Sequence, residues 1–244
     1  MTNALGSRAA VLSALVLTLG LAVAVGPADR SSADAVRLSP AAGAAAEPSR
    51  RGNPRAFEFY RTDAGRVIHW AHCRPIKYRV NYDHAPRRSK WHVLEAVRRL
   101  KRATGLRYRY MGPTSVRPTQ LGNNYPRGTK LVVGWARPAT SILEPRSVGV
   151  GGPAYNGRTG AIVRGFVIVN YKIEMAPGFG KGPRQGIQGT RGQVLMHELA
   201  HTVGMAHVRA EAQIMYPKAT RKRATWGAGD WNGLRKQGRR AGCR

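Results

Sequence analysis

The stretch "HELAHTVGMAH" places His197, Glu198, His201, Gly204 and His207 at spacings that could do chemistry. On a helix, residues four apart lie on one face about one turn apart, so the rings of His197 and His201 project to the same side. That separation lets both imidazoles reach one zinc ion at roughly 2.0–2.1 Å. Glu198 is turned about 100° from the first histidine, where it can approach a reacting water without ligating the metal. Gly204 can end the helix in a left-handed conformation, and the returning chain can bring His207 in as a third ligand. Three protein ligands with an open fourth position are the pattern of a catalytic zinc site, whereas structural sites are closed by four. A lone H-E-x-x-H arises in helices by accident. Fixing five positions, at roughly one in twenty each, leaves on the order of 10⁻⁴ chance occurrences in a chain of this length.

The elements that must hold these residues are legible around them. "GTRGQVLMHELAHTVGM" (189–205) opens at Thr190 as a helix N-cap and carries Val194, Leu195, Leu199, Ala200 and Val203 as a broad apolar side. "IKYRVNYD" (76–83) alternates Ile76, Tyr78, Val80 and Tyr82 against polar residues, the period of a half-buried strand. In "KWHVLEAVRRLKRATG" (90–105), Leu94, Val97 and Leu100 fall at helical spacing, Trp91 and Ala103 extend the stripe, and Gly105 stops the helix. Strand-like runs follow at 106–110, 130–136 and 161–170. Between the last two lies Gly-rich "SVGVGGPAYNG" (147–157), which suits an irregular edge strand. Residues 176–192 read as a loop by composition. Strand, helix, several strands, long loop and helix in that order predict an α+β fold, a sheet flanked by helices.

"HELAHTVGMAH" resembles the extended zinc-binding motif of the metzincin metallopeptidases. A second mark of that family is a Met-turn beneath the metal, and "QIMYP" (213–217) puts Met215 in the corresponding place. "IMYP" is most similar to the matrixin branch. The resemblance implies a twisted mixed sheet with a backing helix and an active-site helix, then a small C-terminal subdomain ending in a helix over 227–240 with Trp231 and Leu234 inward. It implies a secreted zinc endopeptidase with His197, His201 and His207 as ligands and Glu198 as general base and acid. An extended substrate would pair with an edge strand mapped to Val148–Tyr155. The chain departs from the matrixin pattern at Val208, where Ser is usual, and at Lys218 and Ala219 after Met-Tyr-Pro, so side-chain preference is not carried over. The acidic and histidine clusters of matrixin calcium and second-zinc sites are not found. His69, His72, His84 and His92 read as ordinary surface or strand histidines.

The rest of the chain bounds this reading. Its 244 residues suffice for one domain with a real core plus a tail. Residues 1–25 have the layout of a secretory signal peptide, with cleavage near 24–35 and an uncleaved anchor as the alternative. Residues 26–54 read as a disordered linker or short pro-segment, and 55–244 as the catalytic domain. Cys73 and Cys243 are the only cysteines. Export and an even count favour a disulfide between them, against a thiol that caps the metal. Cys73 lacks the Pro-Arg-Cys-Gly context of the matrixin switch. The balance of 41 Lys and Arg against 12 Asp and Glu, a net charge of +29, favours anionic partners such as acidic cell-surface polymers. The expected partners are a protein or peptide substrate and such polymers, with no specific nucleic-acid binding and a monomeric chain. The rival reading is a basic exported module that binds cell-wall polyanions or nucleic acid and whose zinc site does no catalysis. Glu198, useless for binding, argues against it.

Overall fold

A computed structural model of the chain describes residues 51–187 and 189–243; the expected signal peptide and all but the last residues of the expected linker lie outside them. Twelve short segments order the described chain. They are strands β1 (Glu58–Phe59), β2 (His69–Trp70) and β3 (Ile76–Val80), helix α1 (Ser89–Thr104), and strands β4 (Tyr108–Pro113) and β5 (Leu131–Ala136). A 3₁₀ turn at Pro138–Thr140 precedes β6 (Gly149–Tyr155) and β7 (Ala161–Asn170), and α2 (Arg191–His201), β8 (Met205–Ala206) and α3 (Ala228–Arg240) complete the order.

β7 is apolar along most of its length because both its faces are covered. Ile162, Val167 and Val169 join the main core, and Phe166 and Ile168 join a second cluster with Val150, Ala136 and Leu143. From Phe166 to Val169 that is the period of two at work on a central strand, and Ile162 changes side because the pairing with β6 slips by one residue between Arg164 and Ile162. In the main sheet β7, β5, β3 and β4 lie side by side and parallel, β2 extends the edge of β7 that β5 pairs, and β6 runs antiparallel along the other edge of β7. The expected edge strand at Val148–Tyr155 is therefore β6, one residue shorter at its start. β1 and β8 form a separate antiparallel pair. The α+β expectation holds, and the last helix begins at Ala228 with Leu234 fully buried and Trp231 packed against the core.

Three expectations are corrected. β3 ends at Val80 rather than Asp83. Asn81 is buried, and its side-chain amide donates to the Ser115 carbonyl while its oxygen accepts from the Asp83 amide, so the chain turns there. β4 starts at Tyr108 because the Leu106 amide is taken by the Thr104 hydroxyl, past Gly105 in its left-handed cap at φ 76°. On α1 the buried stripe runs through His92, Val93, Ala96, Val97, Leu100 and Ala103, while Trp91 is 55% exposed and meets Phe179 only edge-on. His92 is thus no surface histidine. It is 2% exposed, and its Nε2 accepts the Gly178 amide, pinning the loop before α2 to α1.

Burial, then the cations of Arg191 and Arg88, hold the His92 ring below its ordinary pKa. A histidine with a lowered folded pKa contributes stability that is present above the unfolded value of about 6.5 and is lost as pH falls below it. His92→Gln, whose amide oxygen can still accept from Gly178, is expected to flatten part of the fall in denaturation midpoint between pH 7 and pH 5. Parallel profiles for the two proteins would sink this assignment.

Cys73 and Cys243 are bonded to each other, with Cα atoms 5.2 Å apart, so the entry to β3 is tied to the residues after α3. The thiol that caps the metal is excluded. Among the described residues no helix is long and apolar enough to cross a membrane.

Candidate metal centre

α2 is 11 residues long and carries Gly192 in its first turn, too short to be stable as an isolated helix. Its caps and its burial hold it. The Thr190 hydroxyl accepts the Gln193 amide, as the sequence indicated, and every residue from Gly192 to His201 is buried. Helix and sheet approach closely because β6 is glycine-rich on the side that meets α2. A Cβ added at Gly151 would strike the Glu198 carbonyl, and one at Gly149 would sit 3.1 Å from the Glu198 carboxylate. Gly151→Ala is expected to cost about 1–3 kcal/mol by overpacking and to weaken metal binding as α2 is pushed away. Unchanged stability in chemical denaturation would show that the close approach is not needed.

At the other end, Gly204 takes φ +88° and lies against the Ile68 carbonyl, which leaves no room for a Cβ. This reversal returns the chain through β8, and His207 arrives beside the two helical histidines. The three Nε2 atoms converge: His197 to His207 is 3.0 Å, His197 to His201 is 3.1 Å and His201 to His207 is 3.2 Å. These are not hydrogen bonds among the rings. The Nδ1–H of His197 donates to the Ile214 carbonyl at 2.7 Å, and that of His201 to the Met205 carbonyl at 2.8 Å, so both Nε2 atoms present lone pairs to the centre. A backbone acceptor on the outer nitrogen is the usual way a metal-binding histidine is oriented. With zinc–nitrogen bonds of about 2.0–2.1 Å, a tetrahedral edge is about 3.3 Å, close to the separations seen. The three histidines could hold a metal ion and fit zinc.

Burial, followed by the charge of His207, pulls the His197 pKa down to about 3, and His201 also lies well below its ordinary value, for which burial is the main cause. Burial lowers His207 as well. Metal binding requires neutral imidazole, and near neutral pH all three rings are in that form. Glu198 is 2% exposed, and burial pushes its carboxyl up to about 8 against the opposing Gly151 amide. A cation held by the three imidazoles would favour its ionised form.

Two residues escaped the sequence reading. Tyr60, just after β1, stacks on the His201 ring at 5.5 Å between centroids, and its hydroxyl lies 2.9 Å from His201 Nδ1. Its hydroxyl is held protonated, mainly by burial. Asp230, at the start of α3, is fully buried and accepts the amides of Ile214, Met215 and Gly227. Burial lifts this carboxyl to about 6, held down by those three amides. The turn at 213–216 is thereby fixed from below by Asp230. From above it orients His197 through the Ile214 carbonyl, and the Met215 carbonyl accepts the Val208 amide beside His207. Met215 itself is fully buried in the core. An acidic residue in the first turn of 227–240 was visible as a helix-start signal, but not its reach to the turn. For Tyr60 no signal exists in "FEFYR".

Of the four scattered histidines, none joins the centre. A scan against protein-family models gives no match for this chain, and a search of curated proteins finds no similar sequence.

Proposed function

We propose that the chain is a secreted zinc-dependent endopeptidase of the metzincin type, most similar to the matrixins. The observation that carries the reading is the convergence of the Nε2 atoms of three uncharged imidazoles within 3.0–3.2 Å of one another, with a buried Glu198 on the helix that carries two of them. The Met215 turn that orients His197 and the parallel sheet with antiparallel β6 at its edge support the finer family assignment. His197, His201 and His207 would hold the metal. The chemistry zinc supplies when bound is polarisation of the scissile carbonyl and a water pKa lowered towards ~7. Glu198 takes the proton of the attacking water and passes it to the leaving amine, the general base and acid of the cycle. β6, paired on one edge only among the described residues, offers its other edge to an extended peptide.

The disulfide suits an oxidising compartment, which supports export. The +29 charge supports adhesion of the enzyme to acidic cell-surface polymers. Removal of the metal tests the proposal directly. Dialysis against a chelator is expected to abolish cleavage of a peptide library, and one equivalent of zinc to restore it with the same cleavage sites. Cleavage that persists in metal-free protein would overturn the reading.

A further inference from the structure

Away from the three histidines, a cavity of about 270 Å³ opens between the start of α1, the segment that leaves β7, and the first half of α2. None of its lining residues is a candidate metal ligand, Glu198 or a member of the 213–220 turn. Its volume lies just below the usual range of ligand pockets, about 300–1,000 Å³, with room for one ring and a short arm. The walls divide in two. One part is apolar and flat, with Trp135, Tyr171, Val169 and Leu195. The other part is cationic, with Lys172 from the segment after β7 and Arg191 from the first turn of α2.

These two cations have no carboxylate partner within 4 Å among the described residues, although Glu174 also lines the cavity and the Lys172 ammonium lies 5.5 Å from the centre of the Tyr171 ring. Arg191 has only the Arg87 carbonyl, at 3.5 Å, the limit of a hydrogen bond. The same wall contains an unsatisfied donor. His92 accepts the Gly178 amide at Nε2, which puts its hydrogen on Nδ1, and that buried atom has no acceptor. A buried donor left unmade is costly. His84, at the rim, stacks on Tyr171 at 4.4 Å and takes φ 61°, and Arg88 takes φ 65° at the entry to α1. Left-handed backbone at two non-glycine residues is strain of the kind that gathers at binding sites.

We infer that this cavity binds a compact monocarboxylate with an aromatic body, its ring against Trp135, Val169 and Leu195 and its carboxylate between Lys172 and Arg191. The arrangement pairs an aromatic floor with charge-assisted donors for one anionic group. The same chemistry is offered by a free aromatic acid and by the C-terminal carboxylate of a peptide ending in an aromatic residue. The site is independent of peptide hydrolysis, so either proposal can fail without the other.

Calorimetric titration of the full-length chain carrying Glu198→Gln, at 150 mM salt, tests the inference. The probes are 3-phenylpropionate, its uncharged amide 3-phenylpropanamide, and N-acetyl-glycyl-phenylalanine. The acid is expected to bind with sub-millimolar Kd and the amide at least tenfold more weakly. Lys172→Gln and Arg191→Gln should each remove most of that difference while leaving metal content and circular dichroism unchanged. Peptide binding as tight as that of the free acid identifies a chain terminus as the ligand, and binding of the free acid alone identifies a small organic acid. No saturable binding by either carboxylate overturns the inference. So does equal affinity for acid and amide, or indifference to both substitutions.

Discussion

Glu198→Gln is expected to keep its full complement of metal and to lose kcat by about 10²–10⁴, the span attributed to a positioned general acid and base. The substitution is nearly isosteric. The glutamine oxygen can still accept the Gly151 amide, and the close contact with Gly149 is unchanged in size. What disappears is the ability to take and return a proton. The metal should stay because His197 and His201 keep their backbone acceptors and all three rings keep their mutual spacing. KM should change little, since a side chain that acts on the reacting proton contributes mainly in the transition state. Metal analysis alongside peptide cleavage checks both halves. A variant that still cleaves peptides at the parent rate removes Glu198 from the mechanism, whatever the metal does.

Removing the disulfide is expected to have the largest effect on stability. Cys73 and Cys243 are 170 residues apart in sequence, so the bond closes most of the described chain into one loop. The chain-entropy relation puts the stabilisation at about 5 kcal/mol for a loop of that length, and native disulfides measured by removal give about 2–5 kcal/mol. Cys73→Ser with Cys243→Ser should therefore lower the denaturation free energy by about 3–5 kcal/mol and the melting temperature by about 10 °C. The loss should fall on the contact between α3 and the rest, where Gly238 lies directly against the Thr104 carbonyl and Cys243 donates its amide to the Gly238 carbonyl. Equilibrium denaturation of the metal-free forms separates this effect from metal binding. A change below 1 kcal/mol would mean that the unfolded chain is not restrained by the bond.

How far the sequence foretold the molecule depended on the range of the interaction involved. β7 was legible along its whole length because six of its ten residues are β-branched or aromatic, enough to satisfy one strand without help from elsewhere. The histidine triad was legible because helix geometry brings two of its rings to one face and a single glycine reverses the chain to the third. Trp91 misled for a physical reason: an apolar-stripe argument ranks tryptophan above histidine. The burial of His92 instead depends on the Gly178 amide, which arrives from a loop far along the chain. The two-residue strands β1, β2 and β8 are too short to carry a period, and they exist because distant backbone meets there. The value of Gly149 and Gly151 was read as irregularity of an edge strand. Their use is to let α2 lie on the sheet at backbone distance, which only the packed structure reveals.

One arrangement bears on timing as well as on geometry. The carboxylate that fixes the turn below His197 belongs to Asp230, which is synthesised after every one of the three histidines. A ribosome therefore releases the three histidines before it releases the group that holds their supporting turn in place. Until α3 docks, the emerging polypeptide has the side chains of a metal centre without the rigid cage. The setting of the three histidines is thus completed by a residue made after all of them.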